Sequence, residues 1–317
     1  MSEKLQSDFD KIVKTSKFSN EAIQFKKNFL DDFIKKGFPN RKQEDWKFLD
    51  ISQIIKKNIG DLSFFNDYSQ SNKIDPSIFV DGLEHNKIIF INGRIEKIDF
   101  NFEDQNKIEI IDQTKKDISF NYENSLIDLN GAFTDKVFKI LIKKNYSLKK
   151  PLIIYHSTND KIKSTNINLR LDFELGENSC LKLIDYFTDN IAKNFINIFY
   201  NFNLEKDSIL KNYKIDKFRN DDLKYSFNNI EQDSNSVSET FILSAGSDYL
   251  KNEINCNLKG EYSSAFINGV FSLKENQQHE IRTTINHLVE NTKSYQLIKG
   301  VLGKNSKSAY QGRIFVN

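Results

Sequence analysis

From Val137 to Val316 one strand-like segment follows another with no helical stripe between them, and this bounds the fold more tightly than any other feature of the chain. Thirteen segments qualify: Val137–Ile142, Leu152–Tyr155, Ile167–Leu175, Leu181–Phe187, Ile196–Leu204, Ile209–Ile215, Leu223–Phe227, Val237–Leu243, Tyr249–Leu258, Ala265–Leu273, His279–Val289, Tyr295–Leu302 and Tyr310–Val316. Many alternate cleanly. Ile167, Leu169, Leu171 and Phe173 fall on one face, and Asn168, Arg170, Asp172 and Glu174 on the other. The three prolines are Pro39, Pro76 and Pro151, so none interrupts the array after its second strand. Strand starts recur every ~13–15 residues, which fits a sandwich, a propeller or a stacked solenoid. A sandwich of thirteen strands would be large, and no blade signature is present. The solenoid is the preferred architecture.

The chain before this array is different. Ser19 or Asn20 suits the start of a helix that places Ala22, Phe25, Phe29 and Phe33 on one stripe. Gly37 supplies its stop and Pro39 prevents continuation. Leu5, Phe9, Ile12 and Val13 mark an earlier helix, and Ile51–Lys57 a third, introduced by Asp50 or Ser52. These stripes need a partner surface, so residues 1–85 are expected to form a helical cap and linker, and 86–317 the strand-built core. Asn92-Gly93 centres a hairpin over 87–98, the dipeptide suiting a type I′ turn. A short helix or turn is expected over Ser125–Phe133, ending near Gly131.

Composition excludes some partners. Lys+Arg 46 against Asp+Glu 44 leaves a formal charge of +2, with both signs mixed along the chain, unlike the one-sided basic excess of a nucleic-acid binder. Hydrophobic residues make up only 38%, but 27 Phe and 12 Tyr supply large burial per residue. No segment approaches the ~20 apolar residues that span a bilayer. The amino terminus lacks a signal-peptide core, and a cytoplasmic protein without membrane contact is expected.

Candidate chemistry is sparse. No phosphate loop or dinucleotide fingerprint occurs; Gly300-Val301-Leu302-Gly303-Lys304 has the wrong spacing and is expected to turn between strands. Of the four histidines, His279 and His287 share one strand face and would stand about 26 Å apart, too far for one metal ion. They are expected to bracket an apolar patch as hydrogen-bonded inward groups. Asp221-Asp222 follow Arg219-Asn220 on what should be a solvated turn. Cys180 and Cys256 lack a local base or positive field and are expected to be structural thiols. No catalytic, cofactor-binding or metal-binding residue is assigned.

Four segments, in order, carry a resemblance. Gly37-Phe38-Pro39-Asn40-Arg41-Lys42-Gln43-Glu44-Asp45-Trp46-Lys47-Phe48 is the first; Leu129-Asn130-Gly131-Ala132-Phe133 with Asp135 is the second, where Lys136 replaces an expected Gly. Leu171–Phe187, through Gly176-Glu177-Asn178-Ser179, is the third, with Asp185 where Glu is more usual. The fourth runs from Gln277-Gln278-His279-Glu280-Ile281-Arg282 through Ser294–Gly300 to Gln311-Gly312-Arg313-Ile314-Phe315-Val316. Together they resemble the SufB/SufD family of iron–sulfur cluster assembly scaffolds, and the first favours its SufD branch. The resemblance implies a mainly β protein with a right-handed parallel β-helix (solenoid) core preceded by a small N-terminal helical domain. It also implies a non-catalytic scaffold subunit of a SufBCD-type complex, with a SufB-like paralogue and a SufC-like ATPase as partners. An iron–sulfur cluster would form transiently at the level of the complex, with none bound by this chain alone. Family members continue past the last segment into further coils and a C-terminal helical domain, so this chain is expected to be C-terminally truncated, with those contact regions largely missing. The residues alone leave open a β-helix enzyme acting on polysaccharide, or an interaction module with no cluster role.

Overall fold

The computed structural model describes residues 2–16, 18–65, 74, 76–113, 123–158, 162–188, 193–217 and 220–316. All thirteen expected strands are present, preceded by a hairpin, β1 (Asn86–Ile91) and β2 (Arg94–Asp99), and by β3 (Ile108–Asp112). They run β4 (Phe138–Ile142), β5 (Leu152–Ser157), β6 (Asn166–Leu175), β7 (Cys180–Phe187), β8 (Phe195–Leu204), β9 (Ile209–Asp216), β10 (Asn220–Gln232), β11 (Val237–Ser244), β12 (Ser247–Leu258), β13 (Ser264–Leu273), β14 (Gln278–His287), β15 (Lys293–Leu302) and β16 (Lys307–Val316). From β4 onward odd and even strands separate into two eight-stranded sheets, ordered β15-β13-β11-β9-β7-β5-β1-β2 and β16-β14-β12-β10-β8-β6-β4-β3, with β2 ending the odd sheet and β3 the even one. Each coil therefore gives one strand to each sheet, and about six turns stack in parallel register. Only the first pairs, β1 with β2 and β3 with β4, are antiparallel. The solenoid expectation holds.

A sequence signal explains the tight edge where even strands pass to odd ones. Gly176-Glu177-Asn178-Ser179, Glu205-Lys206-Asp207-Ser208 and Asp233-Ser234-Asn235-Ser236 make the same four-residue turn, with the third residue left-handed at φ 55°, 58° and 57°. Asn and Asp tolerate this region because their short polar side chains bond locally. The serine amide closes each turn onto the first residue's carbonyl at 3.1 Å. Turns then stack: the amides of Asn178, Asp207 and Asn235 donate to carbonyls of Lys206, Ser234 and Glu261 in the next coil. At Gly260 the coils approach so closely that a Cβ would lie 2.0 Å from the Ser234 nitrogen.

The helices form a layer on the outer face of the even sheet. α1 (Ser2–Thr15), α2 (Asn20–Lys36) and α3 (Ile51–Ile54), which continues as a π turn over Ile55–Ile59, appear where their stripes placed them. Ser19 caps α2 by accepting from the Ala22 amide, Asp50 caps α3 through Gln53, and Gly37 stops α2 at φ 68°. α4 (Ser125–Phe133) is the expected short helix and packs on α2. Leu5, Phe9, Leu30, Phe33, Leu126 and Leu129 share one core with Phe195, Phe199, Leu223 and Phe227 of the sheet. This cover buries Asn168, Arg170 and Asp172, the polar face of the strand whose alternation was cleanest. The Asn130 side chain pins α4 down by donating to the Leu169 and Asn197 carbonyls, both at 3.0 Å.

Candidate functional site

Inside the coils the two sheets enclose a lumen that is apolar near the Asn turns and ionic toward the opposite edge. Leu175, Leu181, Leu204, Leu210 and Leu258 fill the first part with no exposure. In the second part, Asp185 of β7 lies opposite Lys214 of β9 in register. Lys214 Nζ donates to Asp185 Oδ2 at 2.8 Å, and His156 Nε2 reaches Oδ1 at 2.5 Å. Tyr200 adds its hydroxyl to Oδ1 at 3.2 Å, and the His156 ring stacks 4.5 Å from Phe187 and 5.6 Å from Phe90. Burial pushes the Asp185 carboxyl up, but Lys214 and His156 outweigh it and hold the group well below the usual carboxylate range.

One coil on, Lys224 Nζ donates to Asp216 Oδ1 at 2.8 Å and lies 4.1 Å from the Phe187 ring centre. Ser247 donates to Asp216 from both its amide and its hydroxyl. His279 follows, with Nδ1 2.8 Å from the Ser244 hydroxyl and Nε2 2.5 Å from the Ser247 carbonyl. A carbonyl only accepts, so Nε2 carries a proton; burial lowers the ring's pKa. His287 binds Thr292 and Ser294 instead. The two histidines bracket Ile281 and Ile285 as expected, each with its own hydroxyl partners. His85 faces the other way, bonding Tyr155 and thereby holding the segment before β1 on the odd sheet.

The structure brings the first and fourth of the resemblance-carrying segments together. Asp45, from the first segment, bonds Arg282 of β14 at 2.7 Å and Arg313 of β16 at 2.9 Å, both from the fourth. Arg282 also reaches Glu253 at 3.3 Å. Lys251 is fully buried, donating to Glu280 and to the Asp45 carbonyl at 2.5 Å each, with its ammonium 4.3 Å from the Trp46 ring centre. Gln278 donates to the Phe48 carbonyl. The motif residues are thus a latch that fastens the helical layer to the coils.

Beside the latch lies a groove of about 270 Å³ lined by Asp45, Trp46, Glu123, Asn124, Glu253 and Arg282 among others. Three carboxylates face it, but Asp45 and Glu253 both pair with Arg282. Asp222, expected on a solvated turn, is buried in β10, where it accepts from the Asn194 amide at 2.7 Å. Arg219 of the same motif lies outside the described residues. Cys256 is fully buried and its thiol is pushed up to about 12 by burial; half-exposed Cys180 is raised for the same reason. Among the described residues no three His, Cys, Asp or Glu side chains are placed to hold a metal ion, and no helix is long and apolar enough to cross a membrane.

A two-sheet β-solenoid with a motif-built latch and internally neutralised lumen charges belongs to the β-helical core proteins. The family model for the SUF system FeS cluster assembly, SufBD core domain, matches residues 156–317, and the chain belongs to that family. It is similar to the iron-sulfur cluster assembly protein SufD of Escherichia coli (strain K12), at 22% identity over 297 residues, covering 90% of this chain and 68% of that protein.

Proposed function

We propose that this chain is a non-catalytic scaffold subunit of a SufBCD-type complex for iron–sulfur cluster assembly. Its partners in this reading are a SufB-like paralogue and a SufC-like ATPase, and the cluster is cargo of the complex rather than a resident cofactor of this chain. The observation that carries the reading is that the matched segment, 156–317, is the coil stack itself, from the end of β5 to β16. The lumen supports it: Lys214 with Asp185 and Lys224 with Asp216 are locked in buried mutual ion pairs, which suits a rigid platform. A cytoplasmic location follows from the same reading. The test is co-expression of the full-length gene product with SufB-like and SufC-like proteins of its own organism, followed by size-exclusion chromatography. A stable ternary complex is expected; a full-length chain that binds neither would falsify the scaffold role.

The groove beside Trp46 favours one competing reading, a polysaccharide-active β-helix, because three carboxylates line it. Acid–base hydrolysis needs one free acid and one free base across the bond, and Arg282 already neutralises two of the three. Loss of a measurable glycosidase activity in Glu123→Gln would reverse the order of the two readings.

A further inference from the structure

We propose that the outer face of the odd-numbered sheet, from β7 to β15, is a docking surface for an amphipathic helix of a partner protein whose apolar stripe is flanked by carboxylates. The proposal is independent of the SufBCD reading. Strand register aligns Ile184, Tyr213, Phe241 and Leu297 along the coil axis, interrupted only by Asn268. Ile215, Leu243 and Val270 form the adjacent row. A parallel sheet with its face in water should carry polar side chains there. Instead Tyr213 is 38% and Leu297 41% exposed, and the others are half-buried.

The even sheet shows what such a face requires. Its equivalent apolar rows, through Phe199 and Phe227, lie under the chain's own helices. On the odd sheet, Ile78, Phe79 and Val80 pack on the cluster of Ile153 and Tyr155, which Ile184 and Tyr186 also join. Beyond that point no described element joins the apolar rows. From Ile184 to Leu297 is four strand spacings, about 19 Å, the length of roughly 13 helical residues. Contiguous exposed apolar area of this kind marks interaction surfaces.

Charge selects the occupant. Lys182 and Lys211 stand in register along one flank, and Lys299 ends the second row. Glu239 is the acidic member of the flanking row and is held by Lys211 at 3.2 Å. A partner with carboxylates beside its apolar stripe complements this rim, whereas a second copy would set lysines against lysines. A membrane is disfavoured because half-buried side chains on a flat sheet cannot penetrate the acyl region.

The test uses the full chain and two labelled 16-residue helical peptides with the same Leu/Ile stripe, one flanked by Glu and one by Lys. The Glu-flanked peptide is expected to bind at least tenfold tighter, weakening with salt. Phe241→Ser should reduce that binding at least tenfold while far-UV circular dichroism stays unchanged. Lys182→Glu with Lys211→Glu, both at the surface, should reverse the peptide preference even if Phe241→Ser proves unstable. Equal binding of both peptides, binding of neither, or an unreversed preference would overturn the proposal. So would a concentration-dependent dimer dissolved by Phe241→Ser, or sedimentation with phosphatidylserine vesicles lost in the lysine variants.

Discussion

Asp185 shows what a single residue can mean once its surroundings are known. It is wholly enclosed between His156, Tyr200 and Lys214. Removing one partner of a buried pair leaves an uncompensated charge, at a cost of about 3–5 kcal/mol. Lys214→Met should therefore lower the free energy of unfolding by about that amount, and Lys214→Met with Asp185→Asn by clearly less. Urea denaturation of both variants checks this; equal losses would mean the pair is not coupled. Lys26 offers a second case. Its ammonium donates to the Gly131 and Thr134 carbonyls at the end of α4, and burial lowers its pKa from 10.5 to about 7. Between those values the unfolded chain binds the extra proton and the folded chain does not, so stability rises with pH across the window. Relative to Lys26→Met, wild-type stability should grow from pH 7 to 10 by up to about 1.4 kcal/mol per unit. A pH-independent difference between the two proteins would refute the buried-lysine account.

At the scale of elements, the repeated turn ties sequence to stacking. Asn235 sits at φ 57°, and its amide donates to Glu261 in the next coil. Alanine there retains the amide but must adopt the left-handed region, at a cost of about 1–2 kcal/mol. Asn235→Ala should shift the thermal midpoint down and Asn235→Gly should not, since glycine enters that region freely. Equal shifts would show that the Asn side chain, rather than the backbone angle, matters. This repeat was available in the sequence as Asn178-Ser179, Asp207-Ser208 and Asn235-Ser236, yet it is hidden among many other Asn residues. β3 escaped notice for another reason: it is short, and it acquires strand character by antiparallel pairing with β4.

For the whole molecule, the helical layer and the coils share one apolar core and one ionic latch. Trp46, the sole tryptophan, stands at their junction, 5% exposed and 5.4 Å from Tyr225. Unfolding followed by Trp46 fluorescence and by far-UV circular dichroism should therefore coincide. In Arg282→Met, which takes one ion pair from each of Asp45 and Glu253, the fluorescence transition should come first. Coincident transitions in that variant would show that the apolar core alone couples the layers.

Local chemistry was enough to determine much of this protein. Period-two alternation placed thirteen strands, and Ser19, Gly37 and Asp50 set helix ends, because these depend on neighbours a few residues away. Spacing also separated His279 from His287. What only the tertiary structure decided was which distant side chains meet. His156, Asp185 and Lys214 are brought together by coil stacking, at separations near 29 residues. Asp45 and Arg282 meet because the helices lie on one sheet and not on the other. Alternation identifies the two faces of a strand, but it cannot say whether water, a helix or the opposite sheet lies beyond them. That depends on contacts between residues hundreds of positions apart, where the energy of burial is summed over the whole fold.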